Sequence, residues 1–118
     1  MYSKDKSFFM IAKAILKIRK EFRSSLSVAE LAQTVGMSQS TFIFHFKFVT
    51  GTTPLQYQKD LRIIASRDLL RSGSSVSSTS FNVGYKTPSH FSNDFQRRFG
   101  LAPSKLAKVT LEYERYFS

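Results

Sequence analysis

Ser89, His90, Ser92 and Asn93, followed by Arg97 and Arg98, are the polar groups of this chain whose types and spacing suit a chemical task. On a helix they lie opposite the stripe Phe91, Phe95 and Phe99. An asparagine amide pairs bidentately with adenine, serine and histidine reach base edges or phosphate, and arginine neutralises phosphate. That is the chemistry of recognition. Groups that would support catalysis are not so placed. Neither histidine, His45 or His90, reads as standing in metal-ligand spacing with a second histidine or a carboxylate. The eight carboxylates are scattered singly, apart from Glu112 and Glu114. The five glycines form no phosphate-cradling loop, and the serine-rich stretch from Ser72 to Ser80 has no recognisable base beside it. The reading is therefore no enzyme, no metal and no cofactor.

Recognition helices need elements to hold them, and an internal repeat supplies these. Val28, Val35 and Gly36 recur as Val76, Val83 and Gly84. Ser38, Phe42, Phe46, Gly51 and Pro54 recur one position further on, as Thr87, Phe91, Phe95, Gly100 and Pro103, so the second copy carries one extra residue near Lys86. Each copy reads as helix, tight turn, helix. In the first, Ser27 and Glu30 form a capping box, and Val28, Leu31, Ala32 and Val35 follow helical spacing. Gly36 supplies the left-handed turn, Ser38 caps the second helix, and Phe42, Phe46 and Val49 form its buried face. In the second copy Gly84 turns the chain, Thr87 caps and Pro88 takes the first helical position.

Between the copies, a helix from Pro54 to about Arg71 places Tyr57, Leu61, Ile64, Ala65 and Leu69 on one side. At 1.5 Å per residue it is a rigid strut about 25 Å long. A helix from about Ser7 to Arg23 turns Phe8, Ile11, Ala12, Ile15 and Ile18 inward, and a last helix runs from Pro103 to about Val109. The tail carrying Leu111, Tyr113, Tyr116 and Phe117 has no assigned place. The fold class is all-α, with about seven helices forming two helix-turn-helix subdomains joined by a long central helix. The boundaries fall at residues 1–53 for the N-terminal helix and first subdomain, 54–72 for the connecting helix, and 73–118 for the second subdomain and tail.

Composition bounds the partner. Lys and Arg total 18 against 8 Asp and Glu, a formal charge of +10, which suits nucleic acid or an anionic membrane surface. Cysteine is absent, excluding disulfides, thiolate zinc sites and a cysteine nucleophile. Lys13, Lys17 and Arg19 interrupt the N-terminal apolar run, and no signal-peptide cleavage pattern follows it. These features describe a soluble, intracellular basic protein. A membrane-surface role ranks below nucleic acid, since the apolar face of the N-terminal helix has a core to pack on.

The block Leu31 to Phe42, with Phe46-Lys47, Thr50-Gly51, Pro54 to Tyr57 and Leu61-Arg62, resembles the AraC/XylS family of bacterial transcription regulators. So do Val83-Gly84-Tyr85, Pro88 to Ser92, Phe95, Arg97 to Gly100 and Pro103-Ser104. The likeness covers about Ser24 to Leu106. It implies a seven-helix domain whose two helix-turn-helix units read adjacent major-groove segments of double-stranded DNA, with the central helix setting the spacing between readers. It further implies a cytoplasmic, nucleoid-associated regulator that contacts RNA polymerase, with an effector-binding or dimerisation domain missing if the chain is a fragment, which is the favoured reading.

By alignment with that family, base readers in the first unit fall at Ser40, Ile43 and Phe44, beside Ser89, His90, Ser92 and Asn93 in the second. Phosphate contacts are assigned to Ser38, Lys47, Thr87, Arg97, Arg98 and Lys105. His45, at the edge of the buried stripe, is read as a packing or phosphate-contacting residue. Two departures stand out. Ile43 and Phe44 are apolar where the family is generally polar or basic, and Phe48 stands where a base is common. Such a surface suits thymine methyls, a protein interface or partial burial in the core. The alternative function is accordingly a protein-interaction module that keeps the fold and docks through its apolar first recognition helix. In the second unit, Thr79 and Ser80 replace an apolar pair, so some packing is lost and this half is expected to be the less stable one.

Overall fold

The computed structural model of the chain describes residues 4–117. Among the described residues there are seven α-helices and no strand. They are α1 (Lys4–Glu21), α2 (Val28–Thr34), α3 (Gln39–Thr50), α4 (Pro54–Arg71), α5 (Val76–Asn82), α6 (Pro88–Phe99) and α7 (Pro103–Phe117). The chain divides into two compact units, Met1–Leu61 and Arg62–Ser118, and the division falls inside α4.

The repeat is written into the backbone at the turns. After α2, Met37 N–H donates to the Ala32 carbonyl at 2.9 Å and Gly36 N–H to the Gln33 carbonyl at 3.1 Å. After α5, Tyr85 N–H donates to Ser80 O at 2.9 Å and Gly84 N–H to Phe81 O at 3.1 Å. This pair of bonds, six residues to one and five to two, closes a helix with a left-handed residue in the penultimate place. Gly36 and Gly84 take that place, with φ of +72° and +107°. The caps of the following helices repeat as well. Ser38 Oγ accepts from Thr41 N–H at 3.3 Å, and Thr87 Oγ1 accepts from His90 N–H at 3.2 Å. Lys86, the extra residue of the second copy, lies between the end of the turn at Tyr85 and the cap at Thr87.

In the first unit the core gathers Ile11, Ala14 and Ile18 of α1, Leu31 and Ala32 of α2, Val35, and Phe42 and Phe46 of α3. Tyr57 meets Phe46 edge-on, with ring centroids 5.6 Å apart. In the second unit, Ile63 and Leu70 of α4, Val83, Tyr85, and Phe91 and Phe95 of α6 form a separate core. Each fully buried phenylalanine contributes about 1.5–3 kcal/mol relative to an exposed one.

Three sequence expectations need correction. On α1, Phe8 and Ala12 point outward, and the buried stripe is Ser7, Ile11, Ala14 and Ile18. On α4 Tyr57, Leu61, Ala65 and Leu69 pack at the margins of the cores as expected, but Ile64 is exposed, and the buried positions are Pro54 and Gln58 in the first unit and Ile63, Ser66 and Leu70 in the second. In both cases polar residues occupy core-facing positions. Gln58 Nε2 donates to the carbonyls of Phe22 and Ser24 at 3.2 and 2.7 Å, and Ser66 Oγ donates to Ile63 O at 2.6 Å. Once satisfied in this way, such groups are tolerated in a core, and they hide the helical period from a hydrophobicity reading. Finally, α7 continues beyond Val109 to Phe117, carrying Leu111, Tyr113 and Tyr116 as exposed side chains.

Candidate nucleic-acid interface

Each unit offers the outward face of its second helix, anchored from beneath by two buried phenylalanines. In the second unit Phe91 and Phe95 hold α6 down, and Ser89, His90, Asn93, Arg97 and Arg98 are exposed on it, with Ser92 half-buried. Ser89, Asn93 and Arg97 succeed one another a turn apart, forming one continuous stripe. Thr87 is spent on capping, so it fixes the start of α6 while remaining exposed. Arg98 lies over Phe99, its guanidinium carbon 5.5 Å from the ring centroid. Lys105 is exposed at the start of α7.

A carboxylate organises this face, and the sequence reading missed it. Asp94, only 8 % exposed, accepts a hydrogen bond from the Tyr85 hydroxyl at 2.8 Å. His90 Nε2 and Arg97 Nη1 each lie 3.6 Å from its oxygens. Asp94 stands one turn along the same helix from His90, a pairing the sequence reading did not draw. Tyr85 in turn packs edge-on against His90 and Phe91, with centroids 5.4 Å away in each case. The Arg62 guanidinium carbon stands 5.8 Å from the Tyr85 ring. Burial lowers the pKa of Arg62, with Tyr85 acting in the opposite sense, and arginine stays cationic at neutral pH regardless. A buried acid thus ties two outward-facing groups, His90 and Arg97, to the core. The signal was available, since Asp94 is the one carboxylate between Asp68 and Glu112 and sits at helical spacing from both partners.

In the first unit Phe42 and Phe46 anchor α3. Ser40, Phe44, Lys47 and Phe48 are exposed, and Ile43 is half-buried against the core. Ser38 accepts from Thr41 N–H and donates its own proton to Thr41 Oγ1 at 2.8 Å, so its hydroxyl is engaged within the helix start. His45 is half-buried and stands edge-on to Phe44, with centroids 5.4 Å apart. Phe44, His45, Phe48 and Val49 of α3, together with Ser7, Phe8 and Ile11 of α1, line an open groove of about 250 Å³. No group of three or more His, Cys, Asp or Glu that could hold a metal ion occurs among the described residues. Among them, too, no helix is long and apolar enough to cross a membrane.

Comparison with known proteins gives concordant results. A family model described as a helix-turn-helix domain matches residues 31–108. A putative AraC-like transcription regulator of Streptomyces lividans is 33% identical over 84% of this chain and 33% of its own length. The transcriptional activator RhaS of Escherichia fergusonii is 33% identical over 75% of this chain and 32% of its own length. The chain thus spans about a third of the length of these relatives. Among solved structures, a Chromobacterium violaceum transcriptional regulator described by AraC-type DNA-binding domains superposes with a TM-score of 0.79 and 25% identity, covering 88% of this chain and 94% of that one. The DNA-binding domain of the global transcriptional factor AdpA, solved with a target DNA, shares the fold at a TM-score of 0.81 and 24% identity, covering 92% and 97% of the two chains.

Proposed function

Because the chain belongs to the AraC/XylS family of transcription regulators and spans its DNA-binding domain, we propose that it reads specific duplex sequences by laying α3 and α6 into major-groove segments. The observation that carries this reading is the repeated closure of α2 and α5 onto capped helices whose outer faces are exposed. A rod so presented fits a groove about 12 Å wide. In the second unit Asn93, Ser89, His90 and Ser92 take the base edges, with Asn93 suited to bidentate pairing with adenine. Lys47, Arg97, Arg98 and Lys105 take phosphates, and Ser38 and Thr87 set the helix starts against the backbone. A net charge of +10 supplies the attraction. The protein has no catalytic role in this reading. It works at promoters in the cytoplasm, associated with the nucleoid, and contacts RNA polymerase. The two units act as separate reading modules joined through α4, as the boundaries at residues 1–53, 54–72 and 73–118 describe. A docking module that merely kept the fold is the less favoured reading, because the polar, cation-flanked face of α6 answers to DNA and not to an apolar partner.

The test is selection from a random duplex pool across a salt series. Enrichment of two motifs is the expected result, and salt-sensitive binding without enrichment would overturn base reading. Replacing Asn93 with alanine should change which sequence the second unit prefers. Equal weakening on specific and random DNA would refute that role. Lys105→Ala should weaken binding to all sequences alike and reduce the salt slope by about 0.9 if it neutralises one phosphate.

A further inference from the structure

The repeat equates positions on the two reading helices, and their chemistry is opposite. Ser40 corresponds to Ser89, Ile43 to Ser92, Phe44 to Asn93 and Phe48 to Arg97. The polar stripe of α6 is thus an aromatic and aliphatic stripe on α3. Phe44 is 66% exposed and Phe48 76% exposed, both on the face that α6 uses for Asn93 and Arg97. Ile43 lies one position back, partly exposed and packed against the core. Leaving two phenylalanines in water on a single helix is costly unless a partner covers them.

Resting on the function proposed above, we infer that the first unit reads DNA by apolar contact with thymine methyl groups, through Phe44 and Ile43. The C5-methyl of thymine is the one apolar group a base pair presents in the major groove. The charge around the stripe fits a polyanion. Lys47 is exposed on the same side of α3, and α3 itself carries no acidic residue. The stripe also shares its helix start with Ser40 and the cap at Ser38, so the apolar side chains sit where a groove-bound helix presents its readers. Discrimination in this unit therefore rests on methyl burial, whereas the second unit discriminates by hydrogen bonds.

Uracil isolates this contact. It lacks only the methyl and keeps every pairing and hydrogen-bonding group of thymine. With the full chain and a duplex enriched from the random pool, each thymine is replaced in turn by deoxyuridine and binding is titrated at fixed salt. One or two replacements in the segment read by the first unit should each weaken binding about four-fold, the worth of about 0.8 kcal/mol for one buried methyl. In Phe44→Ser or Ile43→Thr the loss at the matching position should shrink below about two-fold. Phe44 is exposed, so its substitution leaves the core intact, and the uracil series on the unaltered chain needs no variant at all. Uracil replacements that all leave affinity unchanged would overturn the inference alone and assign the apolar stripe to a protein or membrane contact. So would a uracil penalty that both variants retain in full. Failure to enrich any sequence would overturn this inference together with the function it rests on.

Discussion

Thr79 and Ser80 are both fully buried on α5, yet their hydroxyls fare differently. Ser80 Oγ donates to Ser77 O at 2.7 Å, the back-bond to the preceding turn that its type allows. Thr79 Oγ1 finds no hydrogen-bond partner among the described residues. A buried hydroxyl so placed costs about 1–3 kcal/mol. Thr79→Val keeps the shape and removes the polar atom, so it should raise the unfolding free energy by about 1 kcal/mol, read as a shift in denaturant midpoint at constant slope. Ser80→Ala, which gives up a satisfied bond, should fall near zero. A destabilised Thr79→Val would show that the hydroxyl has a partner in solution. The exposed face of α6 was legible at this same scale, because serine, asparagine and arginine opposite a phenylalanine stripe declare themselves. The pairing of Asp94 with His90 and Arg97 could be read from their spacing on one helix, but the bond from Tyr85 to Asp94 could not, because Tyr85 reaches it from the turn before α6.

At the scale of elements, the turn after α2 and the turn after α5 are the parts most tightly specified by local chemistry. The glycine, the cap and, in the second copy, Pro88 can each be read off the residues, and each occupies its expected place. Gly36 is a direct probe of that specification. A Cβ built there meets nothing within 4 Å, so substitution meets no packing obstacle and only the left-handed backbone resists it. Gly36→Ala should therefore cost about 1–2 kcal/mol, measured by thermal melting, with little change in the native circular dichroism. A cost near zero would mean the turn relaxes to another geometry. The long helices were less legible because their periods are masked. On α1 the large Phe8 draws the eye away from Ser7, and on α4 Gln58 and Ser66 are polar groups in apolar places. Their partners are carbonyls, some far away in sequence, which composition does not disclose.

For the whole molecule, the two cores share no residue: the first draws on α1, α2 and α3 with Tyr57 and Leu61 packed against it, and the second begins at Ile63. Only α4 is common to both units, and the division falls within it. A deletion in one core should accordingly be felt mainly on its own side of Leu61. Phe46→Ala removes a fully buried ring from the first core, a loss of about 3–5 kcal/mol. That is a large fraction of a small domain's stability. Native-state hydrogen exchange should then show amide protection collapsing in α1, α2 and α3 while α6 retains most of its own. Phe95→Ala should produce the converse, with α6 unprotected and α3 protected. Equal loss of protection in both units from either substitution would establish a single cooperative fold, with α4 transmitting the damage from one core to the other. A unit that opens independently also releases one reading helix without the other. Each variant should therefore keep base preference in the intact unit's half of a selected site and lose it in the other half, a pattern that a single cooperative fold cannot produce.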